Sequence, residues 1–186
     1  VEETALALDN AVKQGKTLYV GISNYSREQT SEILKIFREL KTPFIVNQPS
    51  YSMLNRRVEQ GGLDALALEE GFGLSVFSPL YQGLLTDRYL NGIPSDSSIG
   101  KGNTWIKDEL DEKMLKKLNK LNEFAKNRGQ KLSQAALTWV LSNKAVTTVL
   151  IGASRPEQIK ENALAANAPL FTEEEKAKVD EILKDR

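Results

Sequence analysis

The chain has 186 residues, 40% of them hydrophobic and 27% charged, enough for the core of one soluble domain. Lys plus Arg and Asp plus Glu both count 25, so zero net charge offers no electrostatic case for nucleic acid or an anionic membrane. Cysteine and histidine are both absent, which excludes disulfides, thiolate or imidazole metal sites, and Ser-His-Asp or Cys-His chemistry within these residues. No apolar run approaches the length of about 20 residues that spans a bilayer. No signal peptide is visible either, and the absence of cysteine fits a cytoplasmic protein.

In chain order, Glu2 to Val12 reads as the body of a helix carrying Leu6, Leu8 and Val12. With Val1 in place of a Met, this start is expected to be a truncation. Thr17 to Gly21 is short, apolar and β-branched, and reads as a buried strand. Ser26 and Gln29 form a capping box ahead of a helix whose inner face carries Ile33, Leu34, Phe37 and Leu40. Phe44 to Gln48, stopped by Pro49, is the second strand, and Arg57 to Glu70 a helix with Leu63, Leu66 and Ala67 inward. Leu74 to Phe77 is the third strand, stopped by the turn at Pro79.

Tyr81 to Lys107 reads as a long loop rich in Gly, Ser and Asn, a length that marks functional lids or disorder. Leu115, Leu118, Leu121 and Phe124 share the face of a helix ended by Gly129, and Ser133 starts another. Val146 to Ile151 is the fourth strand. Pro156 opens a helix to about Asn167, and the Thr172–Glu175 pair caps the last one. The succession of β-α units predicts an α/β fold with parallel strands. Two architectures fit: an open doubly wound sheet, or a slice of a (β/α)8 barrel. No strand is followed by the G-x-G-x-x-G fingerprint of a Rossmann site.

Each strand ends in a polar cluster, and sites in parallel α/β proteins are built at that end. The clusters are Gly21-Ile-Ser-Asn-Tyr25, Asn47-Gln-Pro-Ser-Tyr51, Phe77-Ser-Pro-Leu80 and Gly152-Ala-Ser-Arg-Pro156. Their amides and hydroxyls suit a neutral amide ligand, Phe77 or Tyr81 a planar one, and a Gly-x-Ser turn at a helix N-terminus suits phosphate. Taken singly, Ser23-Asn24 is a turn, Asn47-Gln48 a hydrogen-bonded strand end, Phe77 a core residue and Ser154 a cap. The ordered set of four is what carries information.

That set resembles the aldo-keto reductases. Lys16-Thr-Leu-Tyr-Val-Gly-Ile-Ser-Asn-Tyr25, Asn47-Gln-Pro-Ser-Tyr-Ser52, Phe77-Ser-Pro-Leu80, Leu150-Ile-Gly-Ala-Ser154 and Gln158-Ile-Lys-Glu-Asn162 are similar in order and spacing to strands five to eight of that barrel. Gln82-Gly-Leu-Leu-Thr-Asp-Arg-Tyr-Leu-Asn-Gly-Ile-Pro94 resembles the branch containing the bacterial L-glyceraldehyde 3-phosphate reductases and the potassium-channel β subunits.

The resemblance implies a single partial domain over residues 1–186, the C-terminal half of a (β/α)8 TIM barrel without its N-terminal half. It implies NADP as cofactor, a small carbonyl substrate and room for a homo-oligomer, while the charge balance and the lack of a long apolar run predict no nucleic-acid partner and no membrane insertion. Ser23, Asn24 and Gln48 match the positions that hold the nicotinamide carboxamide, and Phe77 the aromatic beside its ring. Ser78, Pro79, Leu80, Tyr81 and Gln82 match the segment that wraps the pyrophosphate and ribose. Arg88 and Tyr89 match positions that close over the cofactor. Gly152, Ser154, Gln158, Glu161 and Asn162 match the adenosine end, with phosphate at the Gly-x-Ser turn and Glu and Asn on the adenine.

Arg155 adds a charge of a type that suits a 2′-phosphate. Tyr81 and Gln82 are bulkier than the small residues often found there, and Ser98 stands where some relatives carry an arginine. Catalysis in the family uses an Asp, Tyr, Lys and His from the first four β-α units, and no segment matches those stretches. The expected function is therefore that of an NADP-dependent oxidoreductase when full length, this chain holding the cofactor and lacking catalytic residues. The alternative is a channel β-subunit-like regulatory module.

Overall fold

The computed structural model describes residues 1–95, 97, 100–102 and 109–184. Ser98 and the stretch 103–107 of the expected loop lie outside the described residues. The fold is α/β, built on one four-stranded parallel sheet of order β1-β2-β3-β4. The strands are β1 (Val20–Ser23), β2 (Phe44–Gln48), β3 (Gly73–Val76) and β4 (Val146–Val149). This sequential order lacks the reversal that marks a doubly wound sheet.

The helices are α1 (Glu2–Lys13), α2 (Arg27–Leu40), α3 (Arg57–Gln60), α4 (Leu63–Glu70), α5 (Glu112–Asn127), α6 (Leu132–Leu141), α7 (Pro156–Ala163) and α8 (Glu173–Lys184). The chain divides into two compact units. The first comprises Val1–Tyr51, Asn55–Phe77 and Asn143–Leu150; the second comprises Ser52–Leu54, Ser78–Ser142 and Ile151–Arg186.

The first unit holds the whole sheet. Ala5 of α1, Val20 and Ile22 of β1, and Ile33 and Phe37 of α2 form a buried cluster, with Leu8 and Val12 packed against it. Burial of Val20 and Ile22 sets the register of β1, because alternate strand residues face opposite sides. The strand therefore starts three residues later than expected, and Leu18 and Tyr19 are left exposed. Leu6 of α1 is also exposed. Gly21 lets β2 approach closely: a Cβ there would stand 3.0 Å from the Val46 carbonyl oxygen.

The helix expected over Arg57 to Glu70 is broken into α3 and α4 at Gly61-Gly62, where Gly62 takes a left-handed φ of 68° that ends one helix and starts the next. Leu63, Leu66 and Ala67 are buried as expected. Phe77 falls one residue beyond β3 and joins Ser50 in an isolated parallel bridge. The fourth strand stops at Val149, two residues short of the expected Ile151.

In the second unit α5 packs against α6 and α8, and α6 against α7. Leu118 and Leu121 are buried on α5. The Phe124 ring lies 5.8 Å from that of Phe171, and the Arg128 guanidinium stands 4.0 Å from the Phe171 centroid. The segment after Ser78 is not a structureless loop: it makes 3-10 turns at Tyr81–Gly83 and Asp87–Tyr89, and Leu84 and Leu85 are wholly buried. Apolar residues inside a Gly-rich stretch pin it to the unit. Both expected capping boxes are formed: Gln29 N–H donates to Ser26 Oγ and Ser26 N–H to Gln29 Oε1, while Glu175 N–H donates to Thr172 Oγ1 and Thr172 N–H to Glu175 Oε2.

Candidate functional site

At the carboxyl ends of β1 and β2 one acceptor organises three of the expected site residues. The Gln48 carbonyl receives the Ser23 hydroxyl at 2.9 Å and the Asn24 amide at 3.1 Å. Because the Ser23 proton is spent on Gln48, the lone pairs of that hydroxyl are left to accept from a ligand N–H. Asn24 sits in the left-handed region at φ 60°, which turns its side chain away from strand geometry at little cost for this residue type. Ser23 and Asn24 are exposed and Gln48 half-buried, so all three can meet a ligand.

Asn47, next to Gln48 on β2, points to the opposite face and is wholly buried. Its Nδ2 donates to the Tyr25 carbonyl and to Thr30 Oγ1, each at 3.0 Å, tying the loop after β1 to α2. Its Oδ1 is buried with no hydrogen-bond partner among the described residues. Phe77 is clamped by the segment after β2: its N–H donates to the Pro49 carbonyl at 3.0 Å, and its carbonyl accepts from the Tyr51 N–H at 3.2 Å. The half-buried Phe77 ring is thereby carried on a fixed backbone.

The remaining expected residues belong to the second unit. Ser78 (φ 54°), Tyr81 (φ 46°) and Gln82 (φ 56°) all adopt left-handed backbone, so with Asn24 they make up four of the five non-glycine residues with positive φ among the described residues. Each costs roughly 1–2 kcal/mol for a residue other than Gly, Asn or Asp, and such strain collects at functional sites. Pro79 is buried and Leu80 half-buried; the Tyr81 hydroxyl donates to Glu109 Oε2 at 2.9 Å. Arg88 is exposed, its N–H bonded to Thr86 Oγ1 at 3.3 Å. Tyr89, expected to close over a ligand, is instead buried, with a ring carbon 3.5 Å from where a Gly83 Cβ would stand. Its aromatic surface is used in packing.

Gly152 is exposed, and among the described residues nothing beyond its own chain neighbours lies within 4 Å of a Cβ placed there. The turn that follows differs from expectation. The backbone amides ahead of α7 are not open to an anion: Ser154 N–H (2.8 Å) and Arg155 N–H (3.3 Å) both donate to Gln158 Oε1, and the Ser154 hydroxyl donates to the same oxygen at 3.2 Å. Gln158 at the third helical position reaches back over the helix start, as a capping box requires. A phosphate there would take the place of this amide oxygen.

On α7, Asn162 is buried, while the Glu161 carboxylate pairs with Lys131 and lies 3.5 Å from the Ser133 hydroxyl. Gln134 Nε2 donates to the Glu161 carbonyl at 3.0 Å. Hydrogen bonding to Glu161 raises the Lys131 pKa above its ordinary value. Sequence reasoning did not find Lys131 as the partner of Glu161, because the two are far apart in the chain. Among the described residues no group of His, Cys, Asp and Glu could hold a metal ion, and no helix is long and apolar enough to cross a membrane.

Comparison with known proteins places this geometry in context. Residues 1–184 match the aldo/keto reductase family. L-glyceraldehyde 3-phosphate reductase of Escherichia coli (strain K12) is 47% identical over 189 residues, which cover 100% of this chain and 55% of that protein. A probable voltage-gated potassium channel subunit beta of Oryza sativa subsp. japonica is 33% identical over 191 residues, 100% of this chain and 58% of that one. The solved glycerol dehydrogenase from Gluconobacter oxydans aligns with a TM-score of 0.79 at 28% identity, over 98% of this chain and 54% of that structure. The holo form of an aldo-keto reductase from Bacillus halodurans aligns at a TM-score of 0.69 and 26% identity, over 97% and 55%. The chain thus spans about half the length of the relatives it matches.

Proposed function

The chain belongs to the aldo/keto reductase family, and on that premise we propose that it supplies the dinucleotide cradle of an NADP-dependent oxidoreductase reducing aldehydes or ketones. By the same reading it is the C-terminal half, strands five to eight, of a (β/α)8 barrel and a single partial domain. It is inactive alone, and its localisation is cytoplasmic. The observation that carries the proposal is the convergence of Ser23 and Asn24 on the Gln48 carbonyl.

The donor set fits a nicotinamide. A carboxamide has one acceptor oxygen and two N–H donors. The Ser23 oxygen can accept one N–H, while the side-chain amides of Asn24 and Gln48 offer both donor and acceptor atoms. Phe77 gives a planar apolar surface for the ring. In the second unit, the strained backbone from Ser78 to Gln82 and the Gly152–Ser154 turn suit the phosphates, the latter after Gln158 yields its place. Arg155 adds charge suited to a 2′-phosphate, which favours NADP over NAD. Bound NADPH supplies the hydride. The residues here bind and orient; the family's Asp, Tyr, Lys and His, which move the proton, match no segment of this chain.

The 33% identity to a channel β subunit supports a second reading, a regulatory module that keeps the cofactor without a metabolic substrate. The 47% identity to a reductase favours the first. The test is the full-length protein that carries this chain, mixed with NADPH and a broad aldehyde panel. Carbonyl-dependent oxidation of NADPH is expected. A protein that binds NADPH, turns over none of the panel and co-purifies with a channel would replace the first reading by the second.

A further inference from the structure

We propose that Tyr51 is a positioning residue for the nicotinamide end of the site, its buried hydroxyl locking the short segment that connects Gln48 to Phe77. The inference rests on the cofactor reading above and adds to it a residue outside the ligand-facing set.

Tyr51 is wholly buried. Its hydroxyl donates to Glu59 Oε1 on α3 and accepts from Asn143 Nδ2 at 3.5 Å. Both partners are themselves anchored: Arg56 Nε pairs with Glu59 Oε2, and Asn143 Nδ2 also donates to Asp64 Oδ2 on α4 at 3.1 Å. Through one side chain, the backbone at Tyr51 is fixed to α3, α4 and the residues leading into β4.

That backbone in turn fixes the site. Tyr51 N–H and the Pro49 carbonyl are the two groups that hold the Phe77 carbonyl and N–H, and Ser50 makes the bridge between them. Asn55 Nδ2 donates to Ser50 Oγ at 3.1 Å on the same stretch. Only Pro49 and Ser50 separate Gln48 from Tyr51. Motion of the Tyr51 anchor therefore moves Phe77 through two hydrogen bonds and Gln48 through two residues of chain. Burial, together with the Glu59 carboxylate, pushes the Tyr51 pKa far above its ordinary value, so the phenol stays protonated and acts as a fixed donor.

The test compares Tyr51→Phe with Glu59→Ala, which removes the acceptor from a half-exposed position, and with Glu59→Gln, which keeps an acceptor oxygen. Two ligands are titrated, NADPH and 2′,5′-ADP, which lacks the nicotinamide. Tyr51→Phe and Glu59→Ala are expected to weaken NADPH about five- to tenfold, the cost of one hydrogen bond, and to leave 2′,5′-ADP unchanged. Glu59→Gln is expected to restore NADPH binding. Amide exchange at Phe77 and Tyr51 is expected to quicken in the first two variants. Equal loss of both ligands, or unchanged NADPH affinity with quickened exchange, overturns the positioning role and leaves the cofactor reading standing. Failure of the unmodified protein to bind NADPH overturns the cofactor reading itself, with this inference.

Discussion

Ser23 on β1 gives its hydroxyl proton to the backbone carbonyl of Gln48 on β2, at 2.9 Å. The bond joins the ends of neighbouring parallel strands and decides what each residue can still offer. The Ser23 oxygen keeps its lone pairs as acceptors, and the Gln48 side-chain amide takes no part in this bond.

Ser23→Ala removes both the tie and the acceptor. Ser23 is exposed, so the folded state should lose little. NADPH affinity is expected to fall about five- to tenfold, the worth of one or two hydrogen bonds, with 2′,5′-ADP unaffected. Parallel titrations of the two ligands check this; equal weakening of both would show that Ser23 does not serve the nicotinamide end.

Asn47→Leu should act on stability instead. The Asn47 amide satisfies the Tyr25 carbonyl and Thr30 Oγ1 in a wholly buried setting. Leaving those groups unpaired costs about 1–3 kcal/mol, with partial relief because Asn47 Oδ1 itself has no partner among the described residues. Urea unfolding measures the loss, and a variant as stable as the parent would refute the clamp.

Asp9 gives a pH signature. Its carboxylate accepts from Lys13, works against its own burial, and accepts from the Thr42 hydroxyl at 2.8 Å; together these hold its pKa below the ordinary value. A depressed folded pKa contributes stability above the unfolded value of about 3.9, lost as pH falls through the folded one. Asp9→Asn should therefore flatten the decline of stability with acidification below about pH 4. Unfolding midpoints across that range test it, and an unchanged slope would count against the assignment.

Glu161 separates two uses of one carboxylate. Its pair with Lys131 is about half-exposed, so solvent screens it and it adds little to stability. If Glu161 takes the adenine amino group, Glu161→Ala should weaken 2′,5′-ADP about five- to tenfold. Lys131→Ala should strengthen it by up to about fivefold, because the competing pair is gone. Calorimetric titration reads both; a loss in Lys131→Ala equal to that in Glu161→Ala would make the pair structural.

Some elements were legible because their causes are local. Phe44 to Gln48 has the bounds its β-branched run and Pro49 dictate, and the Ser26–Gln29 and Thr172–Glu175 boxes close over spacings of three residues. Others answered to distant residues. The start of β1 moved from Thr17 to Val20 because α1 and α2 bury Val20 and Ile22. Tyr89 went to packing, where the matching motif suggested a ligand contact.

The sequence by itself determined the family, the parallel α/β plan and the order of polar clusters at the strand ends, since these depend on composition, period and turn chemistry read along the chain. Tertiary structure alone decided that Gln48 offers its carbonyl to Ser23 and Asn24, that Lys131 pairs with Glu161, and that Tyr51 is tied to Glu59 and Asn143. Hydrogen bonds are short-ranged and directional, so partners far apart in the chain are chosen only once the fold has set their distance and angle.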